Sequence, residues 1–329
     1  MAEEYDEILV VDLLGGIGDL LMVLPAIHAL ARRHPQAAVR VLTHEPGADL
    51  VRQDPLVAEV RVPRCDASGA ERQAVAEALA EVRPDLAVTT TRYDGIPDLL
   101  REGSGRCIDD LWRDPPPDQE VGARYLEILA DEGVVDPAER SARPRVHLER
   151  DELDQGRKLL ASLVPGEPTA PPVVLVPQAG MAVKRWPDRH WARLTAELSE
   201  RGHRLLSVTE PMDDVVTLLP AMSLRELAAF FAAVAEAHGS VVGGDTGPLR
   251  LATAAGARTV ALFGPTSALR YGMGGGADLQ GLPGCHHRRP TAITEQVCWW
   301  DATCPLSPEG PACMAALTSE AVADQVRAR

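Results

Sequence analysis

Apolar positions along this chain fall into two patterns that take turns. Short unbroken runs mark strands, and longer stretches with an apolar residue every third or fourth position mark helices. Residues 7–14 are the first short run, and residues 20–33 repeat Leu, Val, Ile and Leu at helical spacing. Runs at 39–43 and 58–62 read as further strands. An Ala- and Glu-rich helix is expected over 70–82 and a strand over 85–89. Organisation weakens between Asp94 and Pro117, where Pro115, Pro116 and Pro117 in succession break any element.

A Pro-rich stretch, 165–172, precedes a second series. A buried strand at 173–176 leads to a helix over 186–201, with Pro187 in its first turn and Gly202 at its end. A strand at 204–208 comes next. Ser223 opens a helix running to about Glu236, with Glu226 in the capping-box position. Strand 240–244, helix 247–255 and strand 259–263 then repeat the unit. Such alternation calls for parallel sheets with helices on both faces. The expected fold is α/β: two doubly wound, Rossmann-like domains, 1–165 and 166–329, facing across a cleft. Ligands are then expected at the carboxyl ends of the strands. The last helix, from Thr318, is expected to pack back on the first domain.

Composition fits this picture and narrows the function. The 329 residues suit two domains of ordinary size, and 45% hydrophobic content supplies their cores. The formal charge is -15, with most of the excess in the first 150 residues. No basic face for nucleic acid is evident, and an anionic surface permits at most weak membrane association. The acidic start and the strand-length apolar runs give no signal peptide or membrane span, so a cytoplasmic protein with reduced cysteines is expected. Cys285, Cys298, Cys304 and Cys313 cluster near His286 and His287 but form no CxxC pair. They are read as thiols of a loop-rich tail, with no metal and no cofactor expected.

Three glycine-bearing segments carry the candidate chemistry. The first, Gly15-Gly16-Ile17-Gly18-Asp19, lies between the first strand and the first helix. It breaks the dinucleotide pattern, because Leu21 stands where the third glycine belongs, and no P-loop Gly-Lys-Ser/Thr follows. Asp19 is then either a helix cap or a general base facing the opposite domain. The second segment runs from Val176 through Gly180, Met181, Lys184 and Arg185 to Pro187. Its lysine, placed just before a helix, is either a phosphate ligand or half of a solvated basic pair. The third runs Gly243-Gly244-Asp245-Thr246-Gly247-Pro248-Leu249-Arg250. Thr246 is expected to cap a helix that Gly247 opens, leaving amides for an anion. Asp245 is expected to be exposed and to accept sugar hydroxyls. No Asp-x-Asp pair occurs, so the protein rather than a metal is expected to hold a diphosphate.

In their order and spacing these segments, with Phe263-Gly264-Pro265-Thr266 and Ser223-Leu224-Arg225-Glu226-Leu227-Ala228, resemble glycosyltransferase family 9 over nearly the whole chain. That family includes the ADP-heptose heptosyltransferases. The resemblance implies the GT-B fold, an acceptor on the first domain and a nucleotide sugar on the second. It implies Asp19 as base, Lys184 as phosphate ligand, and Asp245, Thr246 and Gly247 as the donor loop. Glu210 corresponds to a ribose-binding glutamate of the family. Three features depart from the pattern. Arg250 replaces a histidine, residues 207–223 lack room for a full helix, and the first half is acidic. The implied activity is inverting, metal-independent transfer of a heptose or related hexose from an ADP- or GDP-sugar. The implied acceptor is a glycan, lipid-linked or small-molecule hydroxyl, and the departures point to secondary metabolism rather than lipopolysaccharide. A Rossmann oxidoreductase fails for want of the fingerprint. A non-catalytic sugar-nucleotide-binding protein is the alternative, since it would keep Lys184 and Asp245 without needing Asp19.

Overall fold

The computed structural model describes residues 4–65, 67–166, 170–210 and 212–326, so three positions of the Pro-rich 165–172 stretch lie outside it. The chain forms two compact units. The first comprises residues 1–115 and 121–148, and the second Pro116–Glu120 and 149–329. Each has its own parallel sheet.

In the first unit the elements run β1 (Glu7–Asp12), α1 (Ile17–Arg33), β2 (Ala38–Thr43), β3 (Glu59–Arg61), α2 (Ala70–Glu81), β4 (Leu86–Thr89), α3 (Ile96–Gly103), β5 (Arg106–Ile108) and α4 (Val121–Asp131). The sheet order is β3-β2-β1-β4-β5, with every pairing parallel. Helix α3 and strand β5 occupy the stretch that looked unorganised in the sequence. They are short, 8 and 3 residues, and α3 begins with Pro97 in its first turn, so each shows its pattern over only a repeat or two. Leu9, Val11, Leu13 and Ala87 pack against Val75, Ala78, Ile96 and Leu100 on one face of this sheet.

The second unit runs α5 (Arg150–Leu163), β6 (Val173–Val176), α6 (Asp188–Glu200), β7 (Leu205–Ser207), β8 (Val216–Leu218), α7 (Leu224–Glu236), β9 (Ser240–Gly244), α8 (Gly247–Ala254), β10 (Arg258–Phe263), α9 (Ala268–Tyr271), β11 (Gly276–Gln280), α10 (Ala312–Ala315) and α11 (Ser319–Ala323). Its parallel sheet has the order β11-β10-β9-β6-β7-β8. Among the described residues no helix separates β7 from β8, in line with the shortened 207–223 stretch.

One boundary differs from the sequence reading. Helix α5 belongs with the second unit, not the first, because it packs on α7. Gly156 lets the two backbones meet: a Cβ there would collide with the Ala229 carbonyl. Arg225 grips Glu152 through two contacts, Nε–Oε1 2.6 Å and Nη2–Oε2 2.5 Å, and Arg157 reaches Glu236 at 2.7 Å. The last helix, α11, packs on α6 of its own unit. Val322, Ala323 and Val326 join Leu194, Leu198 and Trp191 in one core cluster, and the Arg201 guanidinium donates to the Ala323 carbonyl. Among the described residues no helix is long and apolar enough to cross a membrane.

Candidate functional site

At the carboxyl edge of the first sheet the glycine turn does specific work. Gly15 takes a left-handed conformation, φ 88°, and Gly16 is the residue before α1. A Cβ on Gly16 would lie 2.5 Å from Asp19 Oδ2, so the carboxylate curls back over the space that glycine leaves open. Asp19 is half-buried in the first turn of α1, where the helix N-terminus favours its negative charge.

A second carboxylate, missed in the sequence reading, stands beside it. Asp12 ends β1 and is 2% exposed. Its Oδ1 accepts the Thr90 hydroxyl. Burial pushes the Asp12 carboxyl up to about 7, and the Asp19 charge pushes the same way against the Thr90 hydrogen bond. The three threonines at the end of β4, Thr89 to Thr91, anchor this edge. Thr89 donates to the Val11 carbonyl, Thr91 Oγ1 accepts from Leu13 N at 2.9 Å, and Trp112 Nε1 reaches the Thr90 carbonyl at 2.9 Å. The Tyr93 hydroxyl donates to the Leu13 carbonyl. Burial raises the Tyr93 phenol, helped by Glu71, Asp12 and Asp94, so this corner is crowded with carboxylates. A charged residue inside the apolar run of residues 7–14 was the one signal for Asp12.

At the corresponding edge of the second sheet, Asp245 follows β9 and sits between two cations. Lys184 Nζ lies 2.9 Å from Asp245 Oδ2 and 3.2 Å from the Asp245 carbonyl. Arg250 Nη2 lies 2.6 Å from Asp245 Oδ1 and also donates to the Tyr271 carbonyl at 2.7 Å. Asp245 is 7% exposed, which corrects the expectation of an exposed carboxylate. Burial alone would raise its pKa, but Arg250 and Lys184 hold it down at about 2. The aspartate is thus a fixed anion that brings two cations together.

Lys184 also differs from expectation in its setting. It ends a single 3-10 turn, Ala182–Lys184, and α6 begins only at Asp188. The ammonium is aimed by this turn, whose amides bond back to Met181 and Ala182, not by a helix. Gly180 is exposed and Met181 half-buried at the head of the loop. Thr246 holds the N-cap position of α8, yet its hydroxyl makes no capping bond. Its Oγ1 is buried without a hydrogen-bond partner, and so is Thr266 Oγ1 after β10. An orphaned hydroxyl at a helix start, beside an aspartate that holds two cations, makes a surface prepared for an anion. Gly247 opens α8 as expected, and Pro248 lacks only an amide that the helix would not use.

Glu210 lies further along this edge. Gln178 Nε2 donates to its Oε2 at 2.8 Å, and both line a cavity of about 510 Å³ with Arg185, Trp186, Met212 and Asp213. The cysteines lie elsewhere: Cys285, Cys298, Cys304 and Cys313 line a small apolar void with His287. All six cysteines are free thiols. Among the described residues no three His, Cys, Asp or Glu side chains are grouped so as to hold a metal ion.

Comparison with known proteins meets this geometry from outside. The family model for glycosyltransferase family 9 (heptosyltransferase) matches residues 112–277, just over half of the chain. A family 9 glycosyl transferase from Veillonella parvula is similar at 17% identity, with 83% of this chain and 84% of that one covered and a TM-score of 0.68. The Escherichia coli ADP-heptose LPS heptosyltransferase II is 16% identical over 96% of each chain, TM-score 0.66. An iron-containing dodecameric glycosyltransferase of enterotoxigenic E. coli, TibC, is 15% identical over 98% of this chain and 75% of that one, TM-score 0.62. At these identities the likeness is one of fold. No protein of curated function matches the chain.

Proposed function

This chain belongs to glycosyltransferase family 9 and is a glycosyltransferase of GT-B fold, and from that premise we propose that it transfers a sugar from a nucleoside-diphosphate donor with inversion and without a metal ion. The sugar is a heptose or related hexose, carried by ADP or GDP, and the acceptor is a hydroxyl. A solved E. coli heptosyltransferase carries ADP, which favours ADP over the other bases. The observation that carries the reading is the Lys184–Asp245–Arg250 cluster beside the start of α8.

The chemistry needs two things. The acceptor hydroxyl must lose a proton as its oxygen attacks the anomeric carbon, and the departing diphosphate must be stabilised as its bond to that carbon breaks. A single displacement inverts the configuration. Asp19 takes the proton. Lys184, Arg250, the first amides of α8 and the Thr246 hydroxyl take the diphosphate charge. Two protein cations do what a bridging metal would otherwise do. Glu210, in the 510 Å³ cavity, accepts ribose hydroxyls, and Gly180 and Met181 border the phosphates. Gly15, Gly16 and Gly18 shape the acceptor loop. The acceptor is neutral or cationic and belongs to secondary metabolism, because a phosphorylated one would meet Asp19, Glu71 and Asp94 around the edge that holds Asp12.

Calorimetric titration of ADP, GDP, UDP and dTDP, followed by nucleoside-diphosphate release assays on acceptor panels, tests this reading. One diphosphate should bind best, and release should require an acceptor and survive a chelator. Lys184→Ala should weaken that binding by about tenfold or more, the scale of a lost charge-assisted contact. Unchanged affinity in Lys184→Ala would show that the diphosphate lies elsewhere. Tight binding with no turnover on any acceptor would favour the sugar-nucleotide-binding protein.

A further inference from the structure

We propose that Trp299 is a positioning residue of the donor site, whose indole face holds the Lys184 ammonium so that one N–H stays directed at the diphosphate. The inference rests on the assignment of Lys184 to the diphosphate made above. It gives a role to the irregular segment before α10, which no part of the proposed chemistry has used.

Lys184 Nζ lies 5.5 Å from the centre of the Trp299 ring, within the range of a cation–π contact. The ring is 6% exposed. It packs with Val183 and Cys298, and Met181, Ile293 and Ala302 border the cluster. The 3-10 turn that carries Lys184 and the segment that carries Trp299 therefore share one small apolar core. Two N–H groups of the ammonium are spent on Asp245, one on the carboxylate and one on the carbonyl. A lysine has a flexible four-carbon stem and a strongly hydrated head, so two contacts to one residue leave it free to swing and to gather water. The indole closes that side. It attracts the cation without accepting its last N–H, and it keeps water away from the place where the phosphate charge must be met.

Trp299 is itself held in register. Its amide donates to the Gln296 carbonyl at 3.0 Å, and the Ala302 amide to the Cys298 carbonyl at 3.1 Å. Gln296 is buried. Its Nε2 donates to the Ile293 carbonyl at 3.0 Å, and its Oε1 accepts from Arg289 N at 3.2 Å. Trp300, one residue on, is 73% exposed and only reaches the Thr294 carbonyl. The two adjacent tryptophans thus form a built-in control, one buried on the lysine and one in solvent.

The test titrates ADP, GDP, UDP and dTDP by calorimetry and follows the tightest binder through Trp299→Leu, Trp299→Phe, Trp300→Leu, Lys184→Met and the Trp299→Leu/Lys184→Met double variant. Trp299→Leu should weaken binding by about threefold to tenfold, Trp299→Phe by about twofold or less, and Trp300→Leu not at all. In the Lys184→Met background Trp299→Leu should cost nothing further. Wild-type affinity in Trp299→Leu, or an equal loss with and without the lysine, overturns the proposal. If Lys184→Met binds every diphosphate like the wild type, the donor-site reading fails instead. Should Trp299→Leu not fold, fluorinated tryptophan incorporated throughout tests the same contact, because it drains the ring of electron density without changing its shape. Affinity should then fall in the wild-type background and stay constant in Trp299→Phe, and a constant affinity in both overturns the proposal.

Discussion

Asp12 and Asp245 occupy equivalent places in the two units. Each ends or follows a buried parallel strand at the carboxyl edge of its sheet, and each is less than a tenth exposed. Yet one is pushed up to about 7 and the other held at about 2. Burial acts on both in the same direction, so the neighbours decide. Asp12 meets a threonine hydroxyl and a second carboxylate, whereas Asp245 meets a guanidinium and an ammonium. The difference separates two kinds of edge. The first holds carboxylates close enough to raise a proton affinity, which suits proton transfer. The second uses a carboxylate to gather positive charge, which suits an anion.

The sharpest way to break this contrast is at Asp19. Asp19→Asn should reduce turnover by about 10²–10⁴ while nucleoside-diphosphate affinity stays unchanged, because the lost group acts on the acceptor proton and not on the donor. Near-normal turnover with the true acceptor would make Asp19 a helix cap and leave the first edge without its chemistry. On the other edge Asp245→Ala should act on stability first. It leaves Arg250 buried beside Lys184 with no counter-charge, at a cost of about 3–5 kcal/mol in urea unfolding. A loss below about 1 kcal/mol would mean that the two cations do not depend on this anion.

How much of each edge could be read beforehand follows from how local its signals are. The Gly-Gly-Ile-Gly-Asp turn and the start of α8 were legible because glycine, proline and threonine at strand ends have backbone meanings that need no partner. The alternation of strands and helices was legible for the same reason, except at α3 and β5, which repeat their patterns too few times to stand out. Asp12 escaped notice because its character comes from burial at the sheet edge beside Asp19, which only the folded chain creates. Asp245 was misread as exposed because its partners, Lys184 and Arg250, close over it only in three dimensions. The contact of Trp299 with Lys184 joins segments more than a hundred residues apart, and no local pattern announces it.

The raised pKa of Asp12 gives the contrast a pH signature. The unfolded chain releases this proton near the ordinary 3.8, and the folded chain keeps it until about 7. Its contribution to stability is therefore fully present below pH 4 and lost as the pH rises through 7. Asp12→Asn keeps a carbonyl for the Thr90 hydroxyl and removes the ionisation. The variant should gain on the wild type as pH rises from 4 to 8, by on the order of a few kcal/mol at the upper end. Unfolding midpoints measured across that range, taken as variant minus wild type, give the slope. A flat difference would place the Asp12 carboxyl at its ordinary value and remove the distinction between the two edges.

The smallest expected effect is also the most selective. Gly16 has φ −98° and ψ 137°, which alanine adopts without strain, so Gly16→Ala changes little in the backbone. Its new methyl would sit 2.5 Å from Asp19 Oδ2, and the carboxylate must move aside because the obstruction is the far end of a side chain and not backbone. Stability should therefore change by less than about 1 kcal/mol, as expected for a substitution that meets no fixed atom. Turnover should fall by about tenfold, since a general base displaced by a fraction of its bond length to the acceptor loses part of its effect. Diphosphate affinity, set in the other unit, should not change. Gly16→Ala with Asp19→Asn should then be no slower than Asp19→Asn alone, because the side chain the methyl displaces no longer acts as a base. An additional loss in the double variant would show that Gly16 serves the loop itself, as a site of close approach to the acceptor, and not the carboxylate.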